Sequence, residues 1–577
     1  MTQLQWRLAE GNGEALYELG VSDDGTVLGM ASDARETSYA NLQQMASKIP
    51  ADVSIEREVT LANGNVALEC LIRRRMIEED AFLEINVAIV GGQVGKSTLL
   101  AQLTRGAVDD GRGSGRYSIA RHQHERESGV TSSITHEILG YTSEGKLVRS
   151  SDDAPLTWEQ ITQRSSKIIH FLDTCGHRKY WKTTIRALTS YLPDYACFCI
   201  GFGKTAGVTQ ATIDQMNFLV QWNIPFFICL TRADLSKNPR GSRVVEVLEN
   251  WIAGDPIYGE AKFIYDNDRR GIISASLSAS QSFSRYISSP SGNHQKRIVP
   301  VFITSCVKVE GIDELHLFLN LLPKPPTDNF NGLTILGIED VFWKDEEDKV
   351  AGKDDVIIWG VLRGGEPLTL ESWRTWLLGP SQGGEFRRVR VKSIQRQRLP
   401  SASLLPGQAG SVCIEDVKEG EKFYRSQVRT GMVLIEDDGE PPKAVHGFQA
   451  EVFIMAHPSV MKAGKHEYMA HSFSLRAAVR VDSVIPSHDL NLNADEPEDG
   501  EETTELARKT RGLVNFHFIN GPEWINAGDK ILITDTAGAR VVGKVKKVIH
   551  WDALRDHAEE DELVEAVNEK VKDLGII

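Results

Sequence analysis

The sequence predicts a multidomain chain of α/β plus β class, in which a small α+β domain and an α/β domain with a mostly parallel sheet precede β-rich units. Three observations carry this. At 577 residues the chain is too long for one hydrophobic core and suggests several domains. From 85 to 325, short and nearly continuous apolar runs alternate with helical stretches, the pattern of parallel strands covered on both faces. After "LLPKPP" at Leu321–Pro326, where consecutive prolines cannot extend a helix, strands separated by glycines dominate.

In chain order, residues 1–84 open on a short amphipathic segment and continue with "ALYELGVSDDGTVLGMA", two apolar stretches around the turn former Asp24-Gly25. A helical "YANLQQMASKI" and a strand-like "ALECLIRRR" complete this α+β domain. The domain at 85–325 supplies the strands "INVAIV", "KIIHFL", "YACFCIGF", "IPFFICL" and "VPVFITS", with the Ser-rich "SASLSASQSFSRYISSPSG" read as a loop insertion. In 326–437, "DVIIWGVLRGG", "RRVRVKSIQ" and "AGSVCIE" predict a β-barrel. A second β-rich stretch, 438–552, runs from "FQAEVFIMAH" through "LRAAVRVDSVI" to "VVGKVKKVIH" and is broken by a solvated acidic loop at 493–505. In 553–577, Leu563, Val567, Val571 and Leu574 recur at helical spacing, which predicts a terminal helix docked on its own domain.

Composition narrows the function classes. A net charge of −15 argues against a protein that coats nucleic acid, which needs clustered Lys and Arg. Seven scattered cysteines make no disulfide framework, and Cys197-x-Cys199 reads as two buried thiols in an apolar strand. The first residues lack the apolar core of a secretion signal, and no run approaches eighteen apolar residues. The expectation is a cytoplasmic protein without membrane contact.

The chemistry concentrates in the α/β domain. "VAIVGGQVGKSTLL" is an apolar strand, a glycine-rich turn and a helix start, with Gly91, Gly92, Gln93, Val94, Gly95, Lys96, Ser97 and Thr98 at its centre. The phosphate-cradling P-loop reads G-x-x-x-x-G-K-[ST], and this turn is one residue shorter between its glycines. Alone such a turn is weak evidence; three further segments strengthen it. "KIIHFLDTCGH" puts Asp173 and Gly176 after a strand in the D-x-x-G arrangement of GTPases, where the carboxylate holds Mg²⁺ through water and the glycine amide meets a γ-phosphate. "FFICLTRADL" places Thr231, Arg232 and Asp234 where a guanine-reading N/T-K-x-D belongs, since a carboxylate accepts from guanine N1 and N2 and finds no such donor pair on adenine. Ser305 and Cys306 follow the last strand, where backbone amides meet guanine O6. Four segments in this order, each after a strand, predict a P-loop GTPase domain that takes GTP or GDP with Mg²⁺ at the carboxyl ends of its strands.

The stretches "WRLAEGNGEALYELGVSDDG", "DDGRGSGRYSIARHQHERESGVTSSITHEILGY" and "DTCGHRKYWKTTIRALTSYLPDYA" closely resemble the GTP-binding protein 1 and 2 family, relatives of elongation factor 1-alpha and of ribosome-rescue GTPases. The resemblance covers nearly the whole chain. It implies a GTPase domain followed by two β-barrels, and work at the ribosome in elongation, rescue or mRNA surveillance. The ribosome is then the expected partner, with aminoacyl-tRNA or the mRNA-decay machinery as further candidates, and the chain is expected to be a monomer. By the same resemblance Lys96 bridges the β- and γ-phosphates, Ser97 and Thr131 meet Mg²⁺, Asp173 is its outer partner, Gly176 is the switch-II hinge and His177 orients the attacking water. Three positions depart from the family pattern. The family loop reads Gly-Asn-Val-Asp-Ala/Ser-Gly-Lys-Ser, whereas here Gln93 and Val94 fill a shorter turn with no aspartate to help hold a monovalent cation near the phosphates. Arg232 stands where Lys is expected, and Cys175 replaces a proline or alanine. The reading that competes with an active GTPase is a hydrolysis-impaired, GTPase-like adaptor for ribosomes or decay factors.

Two basic segments remain. Arg387, Arg388, Arg390, Lys392, Arg396 and Arg398 crowd one strand, either as a solvated barrel face or as a contact for transfer or ribosomal RNA. Arg112, Arg116, Arg121 and Arg126 with His122 and His124 fall in the switch-I stretch, where no third ligand supports metal binding by the His-x-His pair.

Overall fold

The structure, a computed structural model, describes residues 2–22, 26–76, 82–151, 154–203, 207–254, 258–264, 297–325, 332–343, 356–371, 374–417, 423–439, 442–454, 460–464, 466–487, 505–506, 510–535 and 540–550. The Ser-rich insertion, all but the last residue of the acidic loop, and the terminal helical segment lie outside these residues. The chain divides into two compact units, one built from Met1–Leu188, Pro193–Thr327 and Gln397–Leu399, the other from Thr189–Leu192, Asp328–Arg396 and Pro400–Ile577.

The first unit begins with helix α1 (Thr2–Glu10), strand β1 (Glu14–Leu19), helix α2 (Ser32–Lys48) and strands β2 (Ala51–Thr60) and β3 (Val66–Arg74). These strands form an antiparallel sheet in the order β1-β3-β2. Leu4 and Leu8 of α1 and Leu42 and Ala46 of α2 pack with Leu68, Cys70 and Ile72 of the central strand. The alternate residues of that strand serve the opposite face, so Leu71 joins the core of the neighbouring α/β domain. Charge is buried there too. Arg73 Nε donates to Glu14 Oε1 at 2.5 Å, and its Nη2 reaches the Asn320 carbonyl and Oδ1 at 2.9 and 2.8 Å. Lys167 Nζ donates to Glu14 Oε2 at 3.0 Å and to the carbonyls of Asn320 and Leu322, each at 2.7 Å. Burial pushes the Lys167 ammonium down to about 8. Burial alone would lift the Glu14 carboxyl, but Arg73 and Lys167 outweigh it and hold the group below its ordinary value.

The α/β domain contains β4 (Leu83–Gly91), α3 (Lys96–Arg105), α4 (Gln123–Ser128), β5 (Thr135–Tyr141), β6 (Leu147–Val148), α5 (Trp158–Gln163), β7 (Lys167–Asp173), α6 (Trp181–Thr189), β8 (Tyr195–Gly201), α7 (Gln210–Trp222), β9 (Phe226–Thr231), α8 (Arg243–Gly254), β10 (Tyr258–Ile264), β11 (Arg297–Ile303) and α9 (Ile312–Leu321). Its eight strands lie in the order β10-β11-β9-β8-β4-β7-β5-β6. They are parallel from β10 to β7; β5 and β6 are antiparallel additions. Val87 and Ile89 of β4 pack with Leu99 and Leu103 of α3 and Phe318 of α9, while Ile138, Ile161 and Ile168 build a smaller core on the other face. The buried thiols expected at Cys197 and Cys199 are present and free, 4.0 Å apart, with Cys229 Sγ 3.5 Å from Cys197.

The second unit contains two closed, six-stranded antiparallel barrels. The ring of the first runs Trp376–Gly379, Val433–Glu436, Ile335–Trp343, Val356–Arg363, Ala409–Asp416 and Arg387–Arg396, the last pairing back to the first. That of the second runs Val445–Ile454, Arg511–Phe518, Leu475–Ser487, Glu467–Ser472, Lys530–Thr534 and Arg540–His550. Closure leaves no exposed strand edge in either ring. Ion pairs tie the barrels together: Arg363 to Asp529, Arg429 Nη2 to Glu523 Oε2 at 2.8 Å, and Arg476 Nη2 to Glu339 Oε2 at 2.6 Å.

Candidate nucleotide site

At the carboxyl ends of the parallel strands lies a cavity of about 330 Å³. Four segments form its floor: the turn between β4 and α3, the stretch after β7, the loop after β9 and the loop after β11. This is where open α/β sheets hold ligands, because the strand ends diverge there.

The turn after β4 is shaped by glycine. Gly91 has φ +130° and a side chain on it would collide with the Cys199 carbonyl; Gly95, at φ +92°, caps α3. Helix α3 therefore starts at Lys96 beside the cavity, and its first amides, unpaired within the helix, offer an anion site. Lys96 Nζ donates to the Gly92 carbonyl at 2.9 Å, and burial holds its ammonium below the ordinary value against the opposing pull of Asp173. Gly92, Gln93, Val94, Ser97 and Thr98 also line the cavity. Gly176 approaches from the far side, where any side chain would collide with Lys96 Nζ and the Gly92 carbonyl.

Three oxygens converge beside Lys96. Ser97 Oγ donates to Asp173 Oδ2 at 2.5 Å and lies 3.0 Å from Thr131 Oγ1. Asp173 Oδ1 is buried and finds no partner among the described residues, and burial lifts this carboxyl to about 6. An uncompensated buried carboxylate oxygen beside two hydroxyls is a donor set suited to a hard divalent cation. Among the described residues no cluster of three or more His, Cys, Asp or Glu side chains offers a metal site. His124 Nε2 is instead 2.8 Å from Ser132 Oγ, with its ring stacked on His122.

His177 follows Gly176 at the cavity wall, exposed, with Nδ1 accepting from the Lys179 amide at 3.1 Å. Its Nε2 is the nitrogen left for a water or substrate.

The opposite end of the cavity is built from the loops after β9 and β11. Thr231 Oγ1 donates to the Val94 carbonyl at 2.5 Å, a direct link from this end to the glycine turn. Arg232 adopts φ +59° at the cavity wall, and the Ala233 amide bonds the Thr304 carbonyl. Asp234 faces the cavity with Oδ1 held by Ser305 Oγ at 2.7 Å. Of the two amides expected at Ser305 and Cys306, that of Ser305 is taken by the Glu310 carbonyl at 3.0 Å. Ser305 thus acts through its hydroxyl on Asp234, and Cys306 is the member of the pair that lines the cavity. The tight turn from Ser305 to Glu310, closed by reciprocal backbone bonds, is the cause.

Two carboxylates not singled out from the sequence organise the stretch between α3 and Thr131. Asp109 Oδ2 accepts the amides of Gly111 and Gly113 at 3.0 and 3.2 Å, and its Oδ1 that of Gly115 at 3.0 Å. Glu125 Oε1 accepts the Ser132 amide and hydroxyl at 2.8 and 2.9 Å, and its Oε2 accepts the Arg121 and His122 amides, both at 3.2 Å. Both side chains are buried. The signal for the first was present in "DDGRGSG", where glycines two, four and six residues after Asp109 let the backbone wrap one acceptor.

Residues 84–324 match the family described as "Elongation factor Tu GTP binding domain". GTP-binding protein 2 of Mus musculus and that of Homo sapiens are each 32% identical to the chain over 565 residues, covering 96% of it and 85% of the relative. GTP-binding protein 1 of Xenopus laevis is 32% identical over 550 residues, 95% of this chain and 76% of the relative. Among solved structures, translation elongation factor SelB from Methanococcus maripaludis with the GTP analogue GppNHp aligns at a TM-score of 0.48 and 16% identity, covering 82% of this chain and 81% of that one. The Ski7 GTPase-like domain of S. cerevisiae bound to GTP aligns at 0.49 and 12%, covering 80% and 97%. With a third of its residues shared along almost its full length, the chain belongs to the GTP-binding protein 1 and 2 family of elongation-factor-Tu-like translational GTPases.

Proposed function

We propose that the chain binds GTP with Mg²⁺ and hydrolyses it during elongation, ribosome rescue or mRNA surveillance, with turnover stimulated by the ribosome. The observation that carries this reading is the convergence of Ser97, Thr131 and the unpartnered Asp173 Oδ1, behind a cavity that Lys96, Ser97, Thr131 and Asp234 all line. Ser97 and Thr131 would hold Mg²⁺, with Asp173 behind it through water. Bound there, the ion neutralises charge on the β- and γ-phosphates. Lys96 and the first amides of α3 bind the phosphate oxygens, while Gly176 brings its amide close because it lacks a side chain. Asp234, fixed by Ser305, accepts from guanine N1 and N2, and Arg232 covers the base with its stem. His177 orients a water with Nε2, a task of position rather than basicity, which a docked ribosome would improve.

One observation favours the adaptor reading: the turn from Gly91 to Ser97 contains no carboxylate. A carboxylate there would help hold a monovalent cation whose positive charge assists the transition state more than the bound ground state, so its loss weighs on rate before affinity. Fluorescent GTP and ATP competition, followed by hydrolysis with and without ribosomes, tests both readings. The GTPase reading expects GTP preferred over ATP by about 100-fold or more, with Asp234→Asn erasing most of that margin. It also expects ribosome-stimulated turnover that His177→Ala lowers by about 100-fold while nucleotide affinity is kept. Equal competition by ATP and GTP would overturn the guanine assignment, and guanine binding without turnover on ribosomes would leave the adaptor.

A further inference from the structure

The stretch between α3 and Thr131 holds an arginine whose surroundings are built for an anion that the protein does not supply. Arg116 lines the cavity together with Lys96 and Thr131. Its Nε is buried and unpartnered, and no carboxylate among the described residues pairs with its guanidinium. The two acids that could have neutralised it, Asp109 and Glu125, are occupied by backbone amides at either side of it in the chain. The guanidinium lies between two glycines with positive φ: a side chain on Gly113 (φ +88°) would collide with Nη1, and one on Gly129 (φ +69°) would come within 2.8 Å of Nη2. Gly129 is followed two residues later by Thr131, whose hydroxyl is 3.0 Å from Ser97. The slot that holds Arg116 and the segment that closes over Ser97 are therefore one piece of backbone.

The half-buried guanidinium, which lies over the Tyr117 ring at 5.5 Å, has a buried Nε without a hydrogen-bond acceptor, and such a group is retained where a ligand completes it. We infer that Arg116 is a cis-acting arginine that engages the γ-phosphate end of bound GTP from switch I, supplying within the chain a positive charge on the phosphates beyond that of Lys96. Its planar fork can bind two phosphate oxygens at once, and it gains most as negative charge shifts in the transition state. The inference rests on the GTPase reading above.

The test measures binding of GDP, of GppNHp and of GDP with aluminium fluoride, and single-turnover GTP hydrolysis, in the full chain. Arg116→Ala is expected to weaken GppNHp about tenfold and GDP less than about threefold, to abolish the gain in affinity from aluminium fluoride, and to slow hydrolysis by about 100-fold or more. Arg116→Lys should recover little, because a point charge does not replace the fork. Gly129→Ala, which leaves the arginine in place and crowds its slot, should reproduce the loss of the aluminium fluoride complex while GDP affinity is kept, at a stability cost of about 1 kcal/mol from the left-handed backbone. Equal weakening of GDP and GppNHp, or full recovery by lysine, would overturn the assignment, as would an Arg116→Ala protein that forms the aluminium fluoride complex normally. If the wild-type chain binds no guanine nucleotide, the GTPase reading fails together with this one; wild-type binding with an indifferent Arg116 sinks this one alone.

Discussion

Arg112 and Arg116 line the cavity with no acidic side chain paired to them among the described residues, whereas Arg387, Arg388, Arg390 and Lys392 on the first barrel each face one. Arg387 Nε is 2.8 Å from Asp416, Arg388 Nε 2.8 Å from Asp437, and Arg390 and Lys392 share Glu415 at 3.8 and 3.3 Å. In the sequence the barrel strand is the more basic of the two segments. In the folded chain its charge is largely cancelled by neighbouring strands, so the solvated-face reading is favoured over an RNA contact. Near the cavity the acids are spent on backbone amides, and the cations stay available. Density of Lys and Arg along a chain therefore says less about anion binding than where the acids point.

The strongest way to break this comparison is to reverse one charge in each segment. Arg116→Glu should lower GTP-analogue affinity by about 100-fold, through lost attraction and new repulsion at the phosphates. Arg390→Glu should leave nucleotide affinity within about twofold, and its cost should be confined to a barrel-surface pair worth about 1 kcal/mol or less. Matching losses from the two reversals would mean that the barrel strand, not the cavity, governs anion binding.

Acid titration sharpens the contrast at intermediate size. Burial, then His170, Arg121 and Arg186, push His136 down to about 3, and burial and Arg149 push His316 down to about 4; both lie in the nucleotide-binding unit. Both histidines are neutral when folded and take up a proton when unfolded, so the unfolded chain binds more protons below about pH 6.5 and stability is lost as the pH is lowered. Each should subtract about 1 kcal/mol between pH 7 and 5.5, read from urea midpoints. On the barrel, burial would raise the Asp437 carboxyl, but the Thr375 hydroxyl, the Gly439 amide and Arg388 outweigh it and hold it below its ordinary value. The Arg388–Asp437 pair should therefore persist through the same interval, and the first acid transition should belong to the nucleotide-binding unit. A first transition in the barrels would contradict this.

The smallest expected effect comes from turning the barrel segment into a copy of the other. Glu415→Gln with Asp437→Asn removes the carboxylates that Arg388 and Arg390 face. The stability cost should be about 1 kcal/mol, while single-stranded RNA binding should rise and steepen with salt by about 0.7 log units per freed cation. Unchanged salt dependence would show that the pairs are already open in solution.

Much of the fold was legible because fully buried strands advertise themselves: β4, β7, β8, β9 and β11 are the apolar runs read from the sequence. The strands β2, β5 and β10 carry alternating or polar residues such as "ADVSIEREVT" and lack that signal. At the site, the glycine turn, Asp173, Thr231 and Asp234 could be read because each follows a strand at fixed spacing. The engagement of the Ser305 amide, the Glu125 anchor and the pairing of the barrel arginines depend on chain segments brought together only by folding.

The charge cluster that joins β1 and β3 to β7 and α9 decides where this molecule can be cut. Lys167, fully buried, has Glu14 as its carboxylate partner, and Arg73 reaches Asn320 through two bonds. A fragment starting at β4, the obvious choice for isolating the nucleotide site, would strand that ammonium inside the sheet with two carbonyls and no counter-ion. The smallest piece that folds as one cooperative body therefore includes the amino-terminal sheet. Heredity meets the same constraint as the bench: a recombination breakpoint between residues 76 and 82 would separate two halves of one electrostatic lock.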